Sequence, residues 1–347
     1  MRETTNTSNK SWLRWLVLIG ILIIINFVQL PYYFSVPGEA KILTEVIEVE
    51  DGNPYEGTFM LTTIRMGKAN IVNYVWALVS DKRELIPEDQ VRPEGETDEE
   101  YHHRQLMMMT GSQELAVIVA YNYAGEEAYF ENHGVLVTSV IPGMAAEGHL
   151  DIGDRIVAID GEEVLEIETL FDLLGDYRIG DDVSITFERE DDTHTVELQV
   201  EPFPEQVDPE GERGGIGIVN PVTDRELVNT PEINIDTDQI GGPSAGLMFS
   251  LEIYNQLLDE DITKGHQIAG TGSIDEQGNV GRIGGVKQKV YASHEAGADV
   301  FFAPAEQGEA GSNYEIAVET AESIGTDMEI VPVDTFEDAL QYLESIS

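Results

Sequence analysis

From Trp15 to Leu30 the chain is apolar except for Gly20, Asn26 and Gln29, and the run extends through Pro31, Tyr32, Tyr33 and Phe34. Roughly 20 apolar residues match the thickness of a bilayer, so residues 15–34 are expected to form one transmembrane helix. Arg2, Lys10 and Arg14 precede the run, whereas Glu39, Glu45, Glu48, Glu50 and Asp51 follow it. The positive-inside rule then makes residues 1–14 a cytoplasmic tail and puts the bulk of the chain outside the cell, tethered to the cell membrane by a single pass. A cleaved signal peptide would show a shorter apolar core and a small-x-small site. The exit Leu30-Pro31-Tyr32-Tyr33-Phe34 is bulky, which favours an uncleaved anchor. Trp12, Trp15, Tyr32 and Tyr33 stand where interfacial aromatic belts form.

The remaining chain is long enough for two or three domains. Its 66 Asp and Glu against 19 Lys and Arg give a formal charge of −47, a surface that polyanions avoid, so nucleic acid is excluded as a partner. Such an acidic shell suits a salty medium, where repulsion is screened. The sequence carries no cysteine, no EF-hand loop and no HExxH run, so neither a metal nor a cofactor is expected.

The fold class expected is α+β: the transmembrane helix, a leader over residues 35–125, a domain over 126–203 and an α/β domain over 204–347. The leader begins with β-branched, aromatic stretches such as Lys41–Ile47 and Thr58–Ile64. It continues into a proline-free span, Glu99–Tyr123, with helical spacing of Leu106, Met109, Leu115, Val117 and Ala120. Met107 to Met109 read as flexible core filler. From Gly134 the pattern turns to short strands, with Pro142-Gly143, the small-residue turn Met144-Ala145-Ala146-Glu147 and Leu150-x-x-Gly153-Asp154-x-Ile156-x-x-Ile159-x-Gly161. A helix near Thr169–Leu174 and strands Val183–Glu188 and Thr195–Val200 follow. These residues resemble a PDZ domain. The resemblance implies a groove that accepts an extended peptide as an added strand and captures its C-terminal carboxylate. Gly134, Val135, Leu136 and Val137 are the candidate peptide-binding residues. The stretch Glu201–Gly211, with Pro202, Pro204 and Pro209, cannot continue a sheet and marks the next boundary.

Beyond it, strands and helices alternate. Gly241 and Gly242 permit a tight turn, Pro243 is preset for a helix start, and Leu247, Leu251, Tyr254 and Leu258 repeat at helical spacing. Ser244 therefore stands near a helix N-terminus, where unpaired N–H groups and the dipole favour an oxyanion. A capping serine is the plain structural reading of the same residue. Gly284-Gly285 opens a second helix, stopped by Gly297, in which Lys289 falls on the apolar arc with Val286, Ala292 and Ala296 while Lys287 lies on the polar side with His294. Burial depresses a lysine pKa and leaves an amine able to take a serine proton.

At these residues the sequence resembles the Lon protease catalytic domain, a Ser–Lys peptidase family. The resemblance rests on Gly242-Pro243-Ser244-Ala245-Gly246, on Thr271-Gly272-Ser273-Ile274, on Gly278-x-Val280-x-x-Ile283-Gly284-Gly285-Val286-Lys287-Gln288-Lys289, and on Ala296-Gly297-Ala298 before Phe301-Phe302-Ala303-Pro304. It implies Ser244 as nucleophile, Lys289 as general base and Thr271 as a partner orienting the lysine, with Gly242, Pro243 and Ala245 shaping the turn. Two departures stand out: Gly241 replaces the family's usual acidic residue, and Ser273 replaces a glutamate. No Gly-x-x-x-x-Gly-Lys-[Ser/Thr] occurs in these residues, so ATP-driven unfolding is not expected. The family analogy also implies assembly into a homo-oligomer.

Two rivals remain. Gly242-x-Ser244-x-Gly246 satisfies the nucleophile elbow of an α/β-hydrolase esterase, with His294 as the late candidate for its histidine. Alternatively, the exported part is a non-catalytic PDZ scaffold that binds peptides. The reading that uses both motifs is an ATP-independent, membrane-anchored serine endopeptidase acting on polypeptides that the PDZ domain recruits, for instance by their C-termini.

Overall fold

The computed structural model describes residues 12, 14–16, 26–190, 192–237 and 240–346. Residues up to 128 and from 229 onward form one compact unit, and residues 129–228 a second. In chain order the first unit begins with β1 (Gln29–Ile42), β2 (Thr58–Asn70), α1 (Ile71–Ala77), β3 (Glu84–Pro87) and α2 (Asp98–Ala124). The second unit supplies β4 (Glu127–Leu136), β5 (Arg155–Ile159), α3 (Ile167–Gly175), β6 (Asp182–Arg189), β7 (Asp192–Gln199) and β8 (Val222–Thr230). The chain then returns with α4 (Gly246–Leu257), β9 (Gln267–Gly270), α5 (Val286–Ala296), β10 (Val300–Pro304), α6 (Asn313–Ile324), β11 (Glu329–Val333) and α7 (Phe336–Ser345).

The larger unit is built on a sheet of order β11-β10-β9-β2-β1-β3. Its β2, β9, β10 and β11 are parallel, and β1 runs antiparallel between β2 and β3. Every residue of β10 is buried, the continuous apolar run required of a strand covered on both faces. Gly125 (φ +79°) and Gly297 (φ +79°) end α2 and α5 in left-handed caps. The start of α2 is a capping box, in which Thr97 and Glu100 bond each other's backbone N–H. The span read from sequence as a helix over 99–123 thus lies within α2.

Two expectations need correcting. The anchor was expected to stay helical to Phe34, but Gln29 to Phe34 belong to β1, where Tyr33 pairs with Lys68 and Ile86. Tyr and Phe are good strand formers, and the alternation that buries Tyr33 and Ser35 gives these residues a sheet face to fill. Residues 17–25, the centre of the expected anchor, lie outside the described residues; among the described residues no helix is long and apolar enough to cross a membrane. Nor is 35–125 a separate leader. Phe59, Met60 and Leu61 pair in parallel with Ile268, Ala269 and Gly270, which places β2 in the middle of the sheet that carries the C-terminal block.

The smaller unit holds the sheet β7-β6-β5-β4-β8 around a core that includes Val135, Ile156, Leu170, Val183, Ile185 and Leu198. It extends past residue 203. The proline-rich stretch is a bend, after which Ile218 and Val219 pair with Val140 and Ser139 and β8 takes its place beside β4. Asp154 holds the Gly153-Asp154 turn. Its side chain is 2% exposed and accepts bonds from Arg189 Nε (2.7 Å), Arg189 Nη2 (2.6 Å) and the Asp151 N–H (2.8 Å). Desolvation pushes its pKa up, but the Arg189 and backbone bonds outweigh it and hold the carboxyl below its ordinary value. A depressed pKa contributes stability above the ordinary carboxylate range that is lost as pH falls. Asp154→Asn is expected to cost about 2 kcal/mol near neutrality, given the usual strength of charged hydrogen bonds. The gap between variant and wild type in thermal melts should narrow as pH falls below the ordinary carboxylate range, and a gap that stays constant with pH would contradict the assignment.

Candidate active site

The nucleophile loop arises from three local requirements. Gly242 sits at φ +95°, a backbone state that glycine takes without strain, and its N–H donates to the Gln105 carbonyl at 2.8 Å. Gly241 lies so near α2 that a Cβ there would stand 2.8 Å from Cβ of Gln105. Glycine at position 241 is therefore what lets α2 approach the loop. From the same helix, the Ser112 hydroxyl donates to the Pro243 carbonyl at 3.0 Å.

Ser244 is not the helix cap. Helix α4 starts at Gly246, its N-cap is Ala245, and no side chain caps it. The hydroxyl instead stands 2.8 Å from Lys289 Nζ. Lys289 is 2% exposed, in the first turn of α5, and burial pushes its pKa down to about 7. Its other two neighbours are the Thr62 carbonyl (2.9 Å) and Thr271 Oγ1 (3.0 Å).

Donor and acceptor roles follow from these contacts. Thr271 Oγ1 donates its hydrogen to the Ser244 carbonyl at 2.9 Å, so towards Lys289 it accepts. Thr62 O can only accept. A neutral amine has two hydrogens, and these two acceptors take both, leaving the lone pair for the Ser244 hydroxyl proton. The geometry therefore suits proton transfer from Ser244 to Lys289. The Ser244 carbonyl is further held by the Gly272 N–H at 3.0 Å.

A cleft of about 500 Å³ opens at Ser244 and Lys289, lined on one side by Thr63, Ile64 and Met66 of β2 and on the other by Tyr101, Gln105 and Met109 of α2. The Thr62 carbonyl was not singled out in the sequence; of the methionines expected as core filler, Met109 is buried and lines the cleft while Met107 and Met108 are exposed. Gly242, Pro243 and Ala245 lie at the cleft with Ser244, as expected of the turn. His294, which the esterase reading needs beside the serine, is exposed and bonds Thr326 Oγ1 at 2.9 Å. The structure thus pairs Ser244 with the lysine.

The peptide-binding residues fare differently. Val135 and Val137 are buried, and β4 is an interior strand with β5 on one side and β8 on the other. Gly134 packs so tightly that a Cβ would lie 2.6 Å from the Ile156 carbonyl. Adding a strand needs an open edge, and β4 has none to offer a peptide.

Residues 106–200 match the family model of a PDZ domain, and residues 227–344 match that of the Lon protease (S16) C-terminal proteolytic domain. The PDZ match begins within α2 and stops before β8. Over 115 residues the chain is 35% identical to the Lon protease of Campylobacter concisus, covering 33% of this chain and 13% of the relative. It is 36% identical over 102 residues to the Lon protease of Campylobacter jejuni subsp. jejuni, covering 29% and 12%. The chain thus spans a small part of the length of the curated relatives it matches. The crystal structure of the PDZ domain of an SdrC-like protein from Listeria monocytogenes is 27% identical, covering 25% of this chain and 85% of that one, with a TM-score of 0.22.

Proposed function

We propose that this chain, which carries a PDZ domain and a Lon-type C-terminal proteolytic domain, is a serine endopeptidase that works through a Ser244–Lys289 dyad. The observation that carries the reading is the contact itself: an amine with both hydrogens engaged by Thr62 and Thr271, 2.8 Å from the Ser244 hydroxyl, which is left to give it a proton. Lys289 takes the Ser244 proton as the hydroxyl oxygen attacks the scissile carbonyl. The ammonium then returns it to the departing amine, and the same lysine activates the water that cleaves the acyl-enzyme. We place the enzyme in the cell membrane, anchored through the apolar run beginning at Trp15, with its two units outside the cell and no need for ATP. Its substrates are polypeptides, some presented by the PDZ domain, and copies of the chain assemble. The peptide edge of that domain lies elsewhere than residues 134–137.

Labelling with a fluorophosphonate or a peptide boronate tests the dyad. Wild type should label at Ser244, Ser244→Ala not at all, and Lys289→Ala far more slowly; equal labelling of wild type and Lys289→Ala would sink it. Thr271→Val removes one acceptor from the amine and one donor from the Ser244 carbonyl. Loss of one such bond, about 1–2 kcal/mol, corresponds to a fall in kcat of roughly tenfold with KM little changed. Steady-state cleavage of a casein-derived peptide would read the split, and a change confined to KM would contradict a role in orienting the base.

A further inference from the structure

The larger unit carries an apolar surface that the catalytic reading leaves unused. Helix α1 has the sequence Ile-Val-Asn-Tyr-Val-Trp-Ala, and none of its residues is buried. Val72, Val75 and Trp76 are 47%, 55% and 53% exposed, and the turn after them adds Leu78 at 66% and Val79 at 80%. Phe27, 78% exposed, is brought to the same end of the sheet, because Gln29 pairs with Asn70 and the Asn70 amide donates to the Asn26 carbonyl at 3.1 Å. Single exposed apolar side chains are ordinary, but six gathered around one helix mark a contact surface.

Position says what covers it. β1 starts where the apolar run of residues 15–30 ends, and β2 runs back antiparallel to finish beside that start, so α1 begins at the level where the anchor would leave the bilayer. Tyr32 and Tyr74 meet edge to face there at 5.3 Å, and the Arg83 guanidinium lies 3.7 Å over the Trp76 ring. Trp and Tyr rings are what membrane interfaces collect. Arg83 is the basic group on the aromatic face, whereas Lys68 pairs with Glu88 and Lys82 with Glu295. An apolar, aromatic surface beside the end of the apolar run fits a lipid interface.

We propose that α1, with Leu78, Val79 and Phe27, is a bilayer-docking surface that seats in the lipid interface beside the anchor. The inference rests on the anchored reading given above. Strand β2 then acts as a spacer: from Asn70 back to Thr62, whose carbonyl holds Lys289, it spans eight residues, at most about 26 Å at a strand's rise of about 3.3 Å per residue. The catalytic pair is thereby held at a limited height above the membrane, within reach of the extended stalks of other membrane-tethered polypeptides.

Trp76 is one of three tryptophans, so full-length chain with Trp12→Phe and Trp15→Phe reports on the surface alone. In vesicles of phosphatidylcholine and phosphatidylglycerol, a lipid brominated near the headgroup should quench Trp76 severalfold, and acrylamide should quench it weakly. Adding Val75→Glu and Val79→Glu should reverse both responses while fluorophosphonate labelling in detergent stays unchanged. Emission open to acrylamide and untouched by bromolipid overturns the proposal. Emission shielded from both assigns the surface to a second copy and equally overturns it. Alkaline carbonate extraction reads the anchor separately: an extracted chain whose Trp76 is still quenched by bromolipid keeps the surface and removes the anchor. A retained chain with Trp76 in water does the opposite, and an extracted chain with Trp76 in water removes both.

Discussion

Replacing Lys289 with methionine is expected to lower kcat/KM by on the order of 10⁴-fold and, in the same protein, to raise the melting temperature by several degrees. The first effect follows because, among the described residues, Lys289 is the one base within hydrogen-bond distance of the Ser244 hydroxyl. His294 is engaged with Thr326. The second follows because a lysine held 2% exposed, with no carboxylate among the causes of its shift, is costly to the fold. Methionine has a similar length and no charge to desolvate. It does strand the Thr62 carbonyl, a loss of about 1–2 kcal/mol that partly offsets the gain. Thr271 keeps its bond to the Ser244 carbonyl in the variant, so the turn should hold its shape. Calorimetry and peptide hydrolysis on the same preparation check both halves. A variant that melts lower and still turns over at more than a hundredth of the wild-type rate would mean that Lys289 is a structural residue.

The parts of this site legible in the sequence are those carried by neighbours along the chain. Gly242 and Pro243 shape a turn before a periodic helix, and the 3.6-residue period of α5 alone separates buried Lys289 from half-buried Lys287. The parts hidden are those the fold assembles from a distance. Thr62 contributes a backbone carbonyl, which leaves no trace in residue type, and it lies 227 positions from Lys289. The support that Gln105 and Ser112 give to the nucleophile loop is likewise remote, and only the small pair Gly111-Ser112 within a helical pattern hints at a close approach. The inserted unit of residues 129–228 explains why β2 read as part of a leader: its neighbour β9 comes some 200 residues later. Pro202 and Pro204 were a misleading signal, since a bend inside a domain and a boundary between domains look alike in composition. At Gln29 to Phe34, apolar character alone could not separate the end of a membrane helix from the first turns of a strand. The pairing of Tyr33 with Lys68 and Ile86 decides it.

The acid limb of the pH–rate profile is expected at about pH 7, because Lys289 must be neutral to accept the Ser244 proton and burial brings its pKa down to about 7. Below that value kcat/KM should fall tenfold per pH unit, to roughly a hundredth of the plateau at pH 5. Glu252 complicates the reading. It sits 1% exposed on α4, eight residues from the nucleophile, and desolvation pushes its carboxyl up to about 7 as well. The two groups are separable by the sign of their effect on stability. Lys289 has a folded pKa below its unfolded 10.5, so between about pH 7 and 10.5 the unfolded chain binds the extra proton and stability rises with pH, by no more than about 5 kcal/mol in total. Glu252 has a folded pKa above its unfolded 4.5, so its contribution is complete at low pH and is lost as pH rises through about 7. Glu252→Gln should therefore flatten the decline in stability near neutrality yet leave the acid limb of kcat/KM in place. Lys289→Met should remove the rise towards pH 10. An acid limb that disappears in Glu252→Gln, or one centred near pH 4 in the wild type, would transfer the titration to a carboxyl and leave the lysine without its role as base.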